Sequence, residues 1–257
     1  MLTIISVFTC LVFASLYPLC FWIVRGHPIA NDFRKFNILI TNLAGGFGLV
    51  IVLFMNVPLL VKVAVAVWKA ALLSVSSYSW KKEKINLWLM SFPSILGIFA
   101  FAQFQKHFMD LTYSSVFAVS LGGVILCLSL FSMILGHWYL NVPGLPIRYL
   151  VRSTYIFWFS LGSRGIWDLY TVWTQKIIHT GDMIYLYQFI LRVDGFLILV
   201  PLFFGTFLPI FLLYFVHGTL KVKSTQSATG LLYIIVIAIL MGDLAYKYYF
   251  YKFGVAL

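Results

Sequence analysis

Long apolar runs separated by short polar breaks form the dominant pattern of this chain. About 20 consecutive apolar residues cross a bilayer as a helix, and six runs clearly reach that length: 2–24, 87–104, 114–138, 151–174, 184–217 and 228–251. The run from Ile38 to Tyr78 has roughly the length of two spans and contains Asn56-Val57-Pro58, a sequence typical of tight turns. Proline also disfavours helix at the preceding residue. The pattern therefore predicts two spans there, 38–56 and 58–78, and eight in total.

The composition supports a polytopic membrane protein. Apolar residues make up 62% of the chain and charged residues only 10%, against about 25% charged in soluble domains. The mean hydropathy is +0.99. A soluble domain, a disordered chain and a nucleic-acid-binding domain are excluded together. We predict an all-α transmembrane helix bundle that forms a single domain over residues 1–257.

The distribution of positive charge predicts the topology. The net charge is +11, and Lys and Arg concentrate in cytoplasmic loops. Ten of the 18 cations fall in or beside the odd-numbered loops: Arg25, Arg34, Lys35, Lys81, Lys82, Lys84, Arg148, Arg152, Lys221 and Lys223. Eight spans thus put the odd loops in the cytoplasm and both termini outside. Seven spans would put the lysines at 81–84 on the wrong face.

Ionisable residues inside predicted spans are the main functional signal, because burying a charge in a bilayer is costly. Arg164 and Asp168 are four residues apart in the sixth span, and Asp243 and Lys247 have the same spacing in the eighth, which favours ion pairs within a helix. The seventh span contains Arg192 and Asp194. All six fall in the middle-to-outer part of their spans. Packing of spans six to eight would gather them into one polar cluster, which serves either as helix-bridging ion pairs or as a quinone or proton site.

Two histidines and a tyrosine near predicted span ends are further candidates. His137 and Tyr139 lie at the end of the fifth span, and His217 lies at the end of the seventh. They suit hydrogen bonds to a quinone carbonyl or a lipid headgroup, and two histidines on different helices are also the usual ligands of a haem b. The alternative interpretation is that they are interfacial anchors. No other spacing indicates a metal site.

The last span carries a family resemblance. It begins Gln226-Ser-Ala-Thr-Gly-Leu-Leu-Tyr233, continues with Met241-Gly-Asp243 and ends with Lys247-Tyr-Tyr-Phe-Tyr251. This string resembles the final helix of quinol-handling membrane anchors of the DMSO reductase and polysulfide reductase type, with Asp243 in place of Glu and Lys247 in place of Arg. The resemblance implies an anchor that holds an iron–sulfur subunit on the outer face and passes quinol electrons to it.

The leading hypothesis is an integral subunit of a respiratory or redox complex in the bacterial cytoplasmic (inner) membrane. It would exchange electrons with menaquinone or ubiquinone, contact lipids, and anchor membrane or extracytoplasmic redox subunits. At most it would be the quinol-oxidising subunit of an oxidoreductase. Two alternatives remain open at this stage: a transporter or channel for a small solute or protons, and a structural scaffold subunit.

Overall fold

The computed structural model describes residues 1–25, 31–82, 86–109, 111–142, 146–179 and 181–257. Lys84, one of the cations counted above, lies outside these ranges. The described chain is nearly all-α. Its first elements are α1 (Leu2–Leu16), a 3₁₀ segment (Tyr17–Val24), α2 (Asn31–Phe54), α3 (Leu59–Trp80), α4 (Leu87–Phe108), α5 (Tyr113–Asn141) and α6 (Arg148–Thr174).

The remaining elements are shorter until the last helix. They are β1 (Lys176–His179), β2 (Asp182–Tyr185), α7 (Leu186–Ile190), α8 (Val193–Phe196), α9 (Leu199–Leu202), a π-helical turn (Phe203–Phe207), α10 (Leu208–Lys221) and α11 (Thr225–Phe253).

Seven helical segments of the described chain are long and apolar enough to cross a membrane: Leu2–Val24, Asn31–Phe54, Leu59–Trp80, Leu87–Phe108, Tyr113–Asn141, Leu199–Lys221 and Thr225–Phe253. The protein is therefore multi-pass. Helix α6 is absent from this set although its 27 residues correspond to about 40 Å of helix. Its charged residues, Arg148, Arg152, Arg164 and Asp168, lower its hydropathy.

The first of two compact units, Met1–Leu111, consists of α1 to α4. The Leu2–Val24 segment is its central element, because 78% of that span is buried, against 33% of α2. Phe8 of α1 stacks on Phe104 of α4, with ring centroids 5.9 Å apart. The predicted division at Asn56–Pro58 is confirmed, since α2 ends at Phe54 and Pro58 caps the start of α3.

Helix α2 begins seven residues before the predicted start of its span. The sequence analysis placed Arg34 and Lys35 in a loop. In the structure both residues lie in the first turns of α2 instead. Arg34 is buried, whereas Lys35 is half-buried.

The second unit, Thr112–Leu257, contains the remaining helices and the hairpin. Helix α11 packs against α5 and α10, and α6 also packs against α5 and α10. Strands β1 and β2 pair in antiparallel register, with Ile177 opposite Ile184. Both isoleucines are buried against Tyr249 and the chain that follows α11. That chain turns back at Gly254, whose positive φ of 66° ends the helix.

The prediction of one apolar helix over 184–217 is wrong in its first half. Residues 182–198 form β2 and the short helices α7 and α8, and the membrane-length segment begins only at Leu199. A π-helical turn then falls between Pro201 and Pro209. Proline lacks the amide hydrogen that a regular helix needs, which favours such an irregular turn.

Candidate functional site

Arg164 is the centre of a buried polar network in the second unit. Its side chain is 3% exposed, and its Nε lies 3.1 Å from Oδ1 of Asp168, one turn further along α6. Its Nη1 donates to the carbonyl oxygen of Ala118 on α5 at 2.8 Å, and its Nη2 donates to the backbone oxygen of Leu257. The guanidinium carbon also lies 4.0 Å from the ring centroid of Tyr246, a cation–π contact. One arginine thus ties α5, α6, α11 and the chain after α11 together.

Two hydroxyl groups complete the surroundings of Asp168. Thr206 in the π-helical turn and Tyr246 on α11 each donate to its Oδ2 at 2.7 Å. The two hydroxyl oxygens lie 2.9 Å apart. Each hydroxyl has a single proton, so when both protons point to the carboxylate, none is left between the two oxygens. Asp168 is therefore held by one cation and two neutral donors, all buried.

The second ion pair lies beside the first. Nζ of Lys247 donates to Oδ2 of Asp243 within α11, and the two residues are 3% and 6% exposed. A Cβ at Gly122 would lie 3.3 Å from both Nη1 of Arg164 and Oδ1 of Asp243. The glycine thus leaves space between the two ion pairs. The two ion pairs thus bring together two cationic and two carboxylate side chains.

Two small cavities occupy the remaining space around Arg164. One has a volume of about 20 Å³ and is lined by Gly122, Asp243 and Lys247 among others. The other, of about 10 Å³, is lined by Gly205 and Ile239 among others. A single water requires roughly 10–15 Å³. The larger cavity therefore has room for one water molecule between Arg164 and Asp243, and neither has room for a ring-bearing ligand.

Two glycines set the position of Thr206. Gly205 in the π-helical turn and Gly242 on α11 face each other so closely that a Cβ on Gly242 would overlap the backbone of Gly205. Close backbone approach at small residues is a common way for membrane helices to pack. Here it brings the hydroxyl of Thr206 within reach of Asp168.

A larger groove lies on another face of α6, between α6 and α10. Its volume is about 560 Å³, within the range of roughly 300–1,000 Å³ usual for small-molecule sites. Its lining is mostly aromatic: Tyr155, Trp158, Phe159, Gly162, Ser163, Ile166, Tyr214 and His217. The rings of His217 and Tyr155 lie 4.6 Å apart. Nε2 of His217 is buried and makes no hydrogen bond to the described residues.

His137 lies in a separate arrangement on α5. Its Nδ1 is 3.1 Å from the hydroxyl of Tyr233 on α11, and its Nε2 is 3.1 Å from Nδ2 of Asn141. Tyr139 donates to the carbonyl oxygen of Pro146. Both ring nitrogens of His137 therefore have hydrogen-bond partners in this arrangement. Within the described residues, no group of three or more His, Cys, Asp or Glu side chains could hold a metal ion.

The structure unites four of the six charged residues predicted for the polar cluster: Arg164, Asp168, Asp243 and Lys247. Arg192 does not join them, because it is exposed and precedes α8, outside the membrane-length segment. Its predicted place inside a span is therefore wrong. Asp194 is in α8, and its side chain lies outside the described part of the structure.

Sequence reasoning missed the neutral members of the network, Thr206, Tyr246 and Gly122. Tyr246 had a detectable signal, since it lies three residues after Asp243 and next to Lys247. Thr206 is one polar residue in an apolar run, and only the folded structure brings it to Asp168. No family model, curated protein or solved structure matches this chain in the three comparisons made.

Proposed function

We propose that the protein is an integral membrane subunit of a redox complex that binds a quinone or quinol in the groove between α6 and α10. The observation that carries the proposal is the combination of aromatic walls with His217, whose Nε2 has no partner among the described residues. An aromatic slot accepts the flat quinone ring, and a protonated Nε2 would donate to a quinone carbonyl. The volume of about 560 Å³ suits the ring together with the start of its isoprenoid tail.

The buried network would handle protons and not the quinone itself. Oxidation of a quinol to a quinone releases two electrons and two protons. The network lies on the other side of α6 from the groove, and its cavities of about 20 and 10 Å³ admit only water. Asp168 and Asp243 are the proton-accepting groups in this proposal, and Arg164 and Lys247 balance their charge. The carboxylates thus act in proton transfer, whereas His217 orients the ring.

The electrons would pass to a partner subunit. The resemblance of the last span to quinol-handling membrane anchors implies that this partner is an iron–sulfur protein on the outer face. The proposal includes eight spans with both termini outside, in which α6 crosses the membrane in addition to the seven apolar segments. Helix α6 is long enough to cross a bilayer, and Arg164 and Asp168, the charges near its middle, are paired and buried. The membrane is proposed to be the bacterial inner membrane.

A proton channel or proton-coupled transporter is a second candidate, favoured by the water-sized cavity beside Asp243. Buried carboxylates linked by water are typical of proton relays in membrane proteins. The two candidates differ in what the protein does alone. Purified protein in liposomes carries protons down an imposed gradient if it is a channel, and carries none if it is a redox anchor.

The test of the leading proposal is purification from the native membrane in mild detergent, followed by quinone extraction and mass spectrometry of both quinone and protein. We expect menaquinone or ubiquinone near one per chain, together with a redox subunit. Gly162→Trp should remove the quinone while the partner remains, because a Cβ at Gly162 meets no atom within 4 Å and a larger side chain extends into the groove.

Gly230→Trp is the matched control. It makes the same change on α11, again with open space around the added Cβ, but away from the groove. Recovery of the chain without quinone and without a redox subunit would contradict the proposal. Equal loss of quinone in both variants would also contradict it.

A further inference from the structure

A second groove lies within the first unit, between α2 and α3. The two helices are antiparallel across the turn at Asn56–Pro58, so the start of α2 lies beside the end of α3. The groove at that end has a volume of about 370 Å³. Its lining combines three aliphatic side chains with polar, aromatic and cationic ones: Ile38, Leu39, Leu73, Asn42, Ser76, Ser77, Trp80 and Lys81.

A chain of hydrogen bonds links this groove to a buried lysine. Nδ2 of Asn42 donates to Oγ of Ser76 at 2.8 Å. The carbonyl oxygen and Oδ1 of Asn42 both accept from Nζ of Lys69 at 2.8 Å. Lys69 is 4% exposed, and the acceptors of its Nζ among the described residues are the two neutral oxygens of Asn42. Its ammonium group therefore adds positive potential behind one wall of the groove.

The mouth of the groove is also cationic. Lys81 lines it, and Nζ of Lys35 lies 5.9 Å from the ring centroid of Trp80. Lys82 lies 4.9 Å from the ring centroid of Tyr78. Among the described residues of this unit, Asp32 in the first turn of α2 is the one acidic side chain. Lysines with Trp and Tyr at the end of a hydrophobic hairpin are typical of the membrane interface.

We propose that this groove is a binding site for an anionic phospholipid. The acyl chain lies along Leu39 and Leu73, and the phosphate lies at the mouth, between Lys35 and Lys81, within reach of Ser77. The complementarity of charge selects an anionic over a zwitterionic headgroup, because each lysine near the surface attracts anionic lipid. The site is in the other unit from the quinone groove and does not depend on the function proposed there.

The test is native mass spectrometry of the full chain in mild detergent, incubated with equal amounts of phosphatidylglycerol and phosphatidylcholine. We expect wild-type protein to retain phosphatidylglycerol preferentially. The double variant Lys35→Gln with Lys81→Gln should lower that retention by about thirtyfold, since each lysine contributes about 1 kcal/mol. Lys221→Gln with Lys223→Gln removes the same charge from exposed positions of the second unit and should leave retention unchanged.

Ser77→Trp tests the groove separately from its charge. Ser77 is exposed and lines the groove, so a tryptophan there fills the space and keeps every lysine. We expect it to lower phosphatidylglycerol retention as well. Equal retention of the two lipids by wild-type protein would overturn the proposal. It would also be overturned by an equal loss in the Lys221/Lys223 control, or by full retention in Ser77→Trp, which would indicate attraction to the general surface charge only.

Discussion

Asp168→Asn is the substitution that tests most sharply whether the buried network stabilises the second unit. Arg164 and Asp168 are 3% and 2% exposed, so water cannot replace the lost carboxylate. Asparagine can still accept from Thr206 and Tyr246, and the main cost is therefore the uncompensated charge of Arg164. Breaking a buried ion pair by removing one partner typically costs about 3–5 kcal/mol. We expect a loss of this size, or a change in the unfolding equilibrium of roughly a thousandfold.

Removing both charges should cost far less. In Arg164→Met with Asp168→Leu no buried charge is left alone, and such replacements are often neutral or stabilising. Tyr246→Phe removes only one donor to Asp168, and hydrogen bonds in membrane proteins average about 0.6 kcal/mol with a maximum near 1.7. The double substitution leaves the backbone oxygens of Ala118 and Leu257 without the donors that Arg164 supplied. We therefore predict that Asp168→Asn destabilises the protein more than either the double substitution or Tyr246→Phe.

The assay is unfolding of the purified protein in mixed micelles by increasing SDS, followed by circular dichroism. Asp182→Asn, at an exposed position in β2, is the matched control and should change the free energy of unfolding by less than about 0.5 kcal/mol. If Asp168→Asn is as stable as that control, the buried network does not stabilise the second unit.

Three further outcomes follow from particular contacts. Gly242→Ala should greatly lower the yield of folded protein, because the added Cβ would overlap the backbone of Gly205. Gly162→Ala has open space around its Cβ and should purify normally. Size-exclusion chromatography compares the yields of the two variants. Arg192→Gln should leave thermal stability within about 0.5 kcal/mol of wild type, because Arg192 is exposed, and a large loss would show that it belongs to the network. Asp243→Asn should abolish quinol turnover in the native complex while the protein remains inserted, and unchanged turnover would exclude Asp243 from the proton path.

Hydropathy predicted most of the helices because the bilayer imposes a minimum apolar length. The turn before Pro58 was predictable from local chemistry, since proline fixes the backbone whatever surrounds it. The spacing of Arg164 and Asp168, and of Asp243 and Lys247, also predicted the two ion pairs, because residues four apart lie on one face of a helix.

The region 182–198 was not predictable from hydropathy, because an apolar run does not distinguish a membrane helix from a compact folded hairpin. Two local signals were present. Gly181 adopts a φ of 92° between β1 and β2, a conformation that favours glycine. A Cβ at Gly195 would overlap the carbonyl group of Phe189. The close approach of the chain at Gly195 to Phe189 therefore also requires glycine. The pairing of Thr206 and Tyr246 with Asp168 depends on tertiary packing, which a single sequence does not encode locally.

Photoaffinity labelling can show whether the groove between α6 and α10 binds a quinone. Native membranes are illuminated with an azido-quinone in the presence and absence of excess unlabelled quinone, and the labelled peptides are identified by mass spectrometry. We expect labelling of peptides from α6 and α10, near Trp158 and His217. Excess unlabelled quinone should prevent this labelling, and Gly162→Trp should abolish it. Labelling confined to other helices, or labelling of the groove that persists in Gly162→Trp, would contradict quinone binding in this groove.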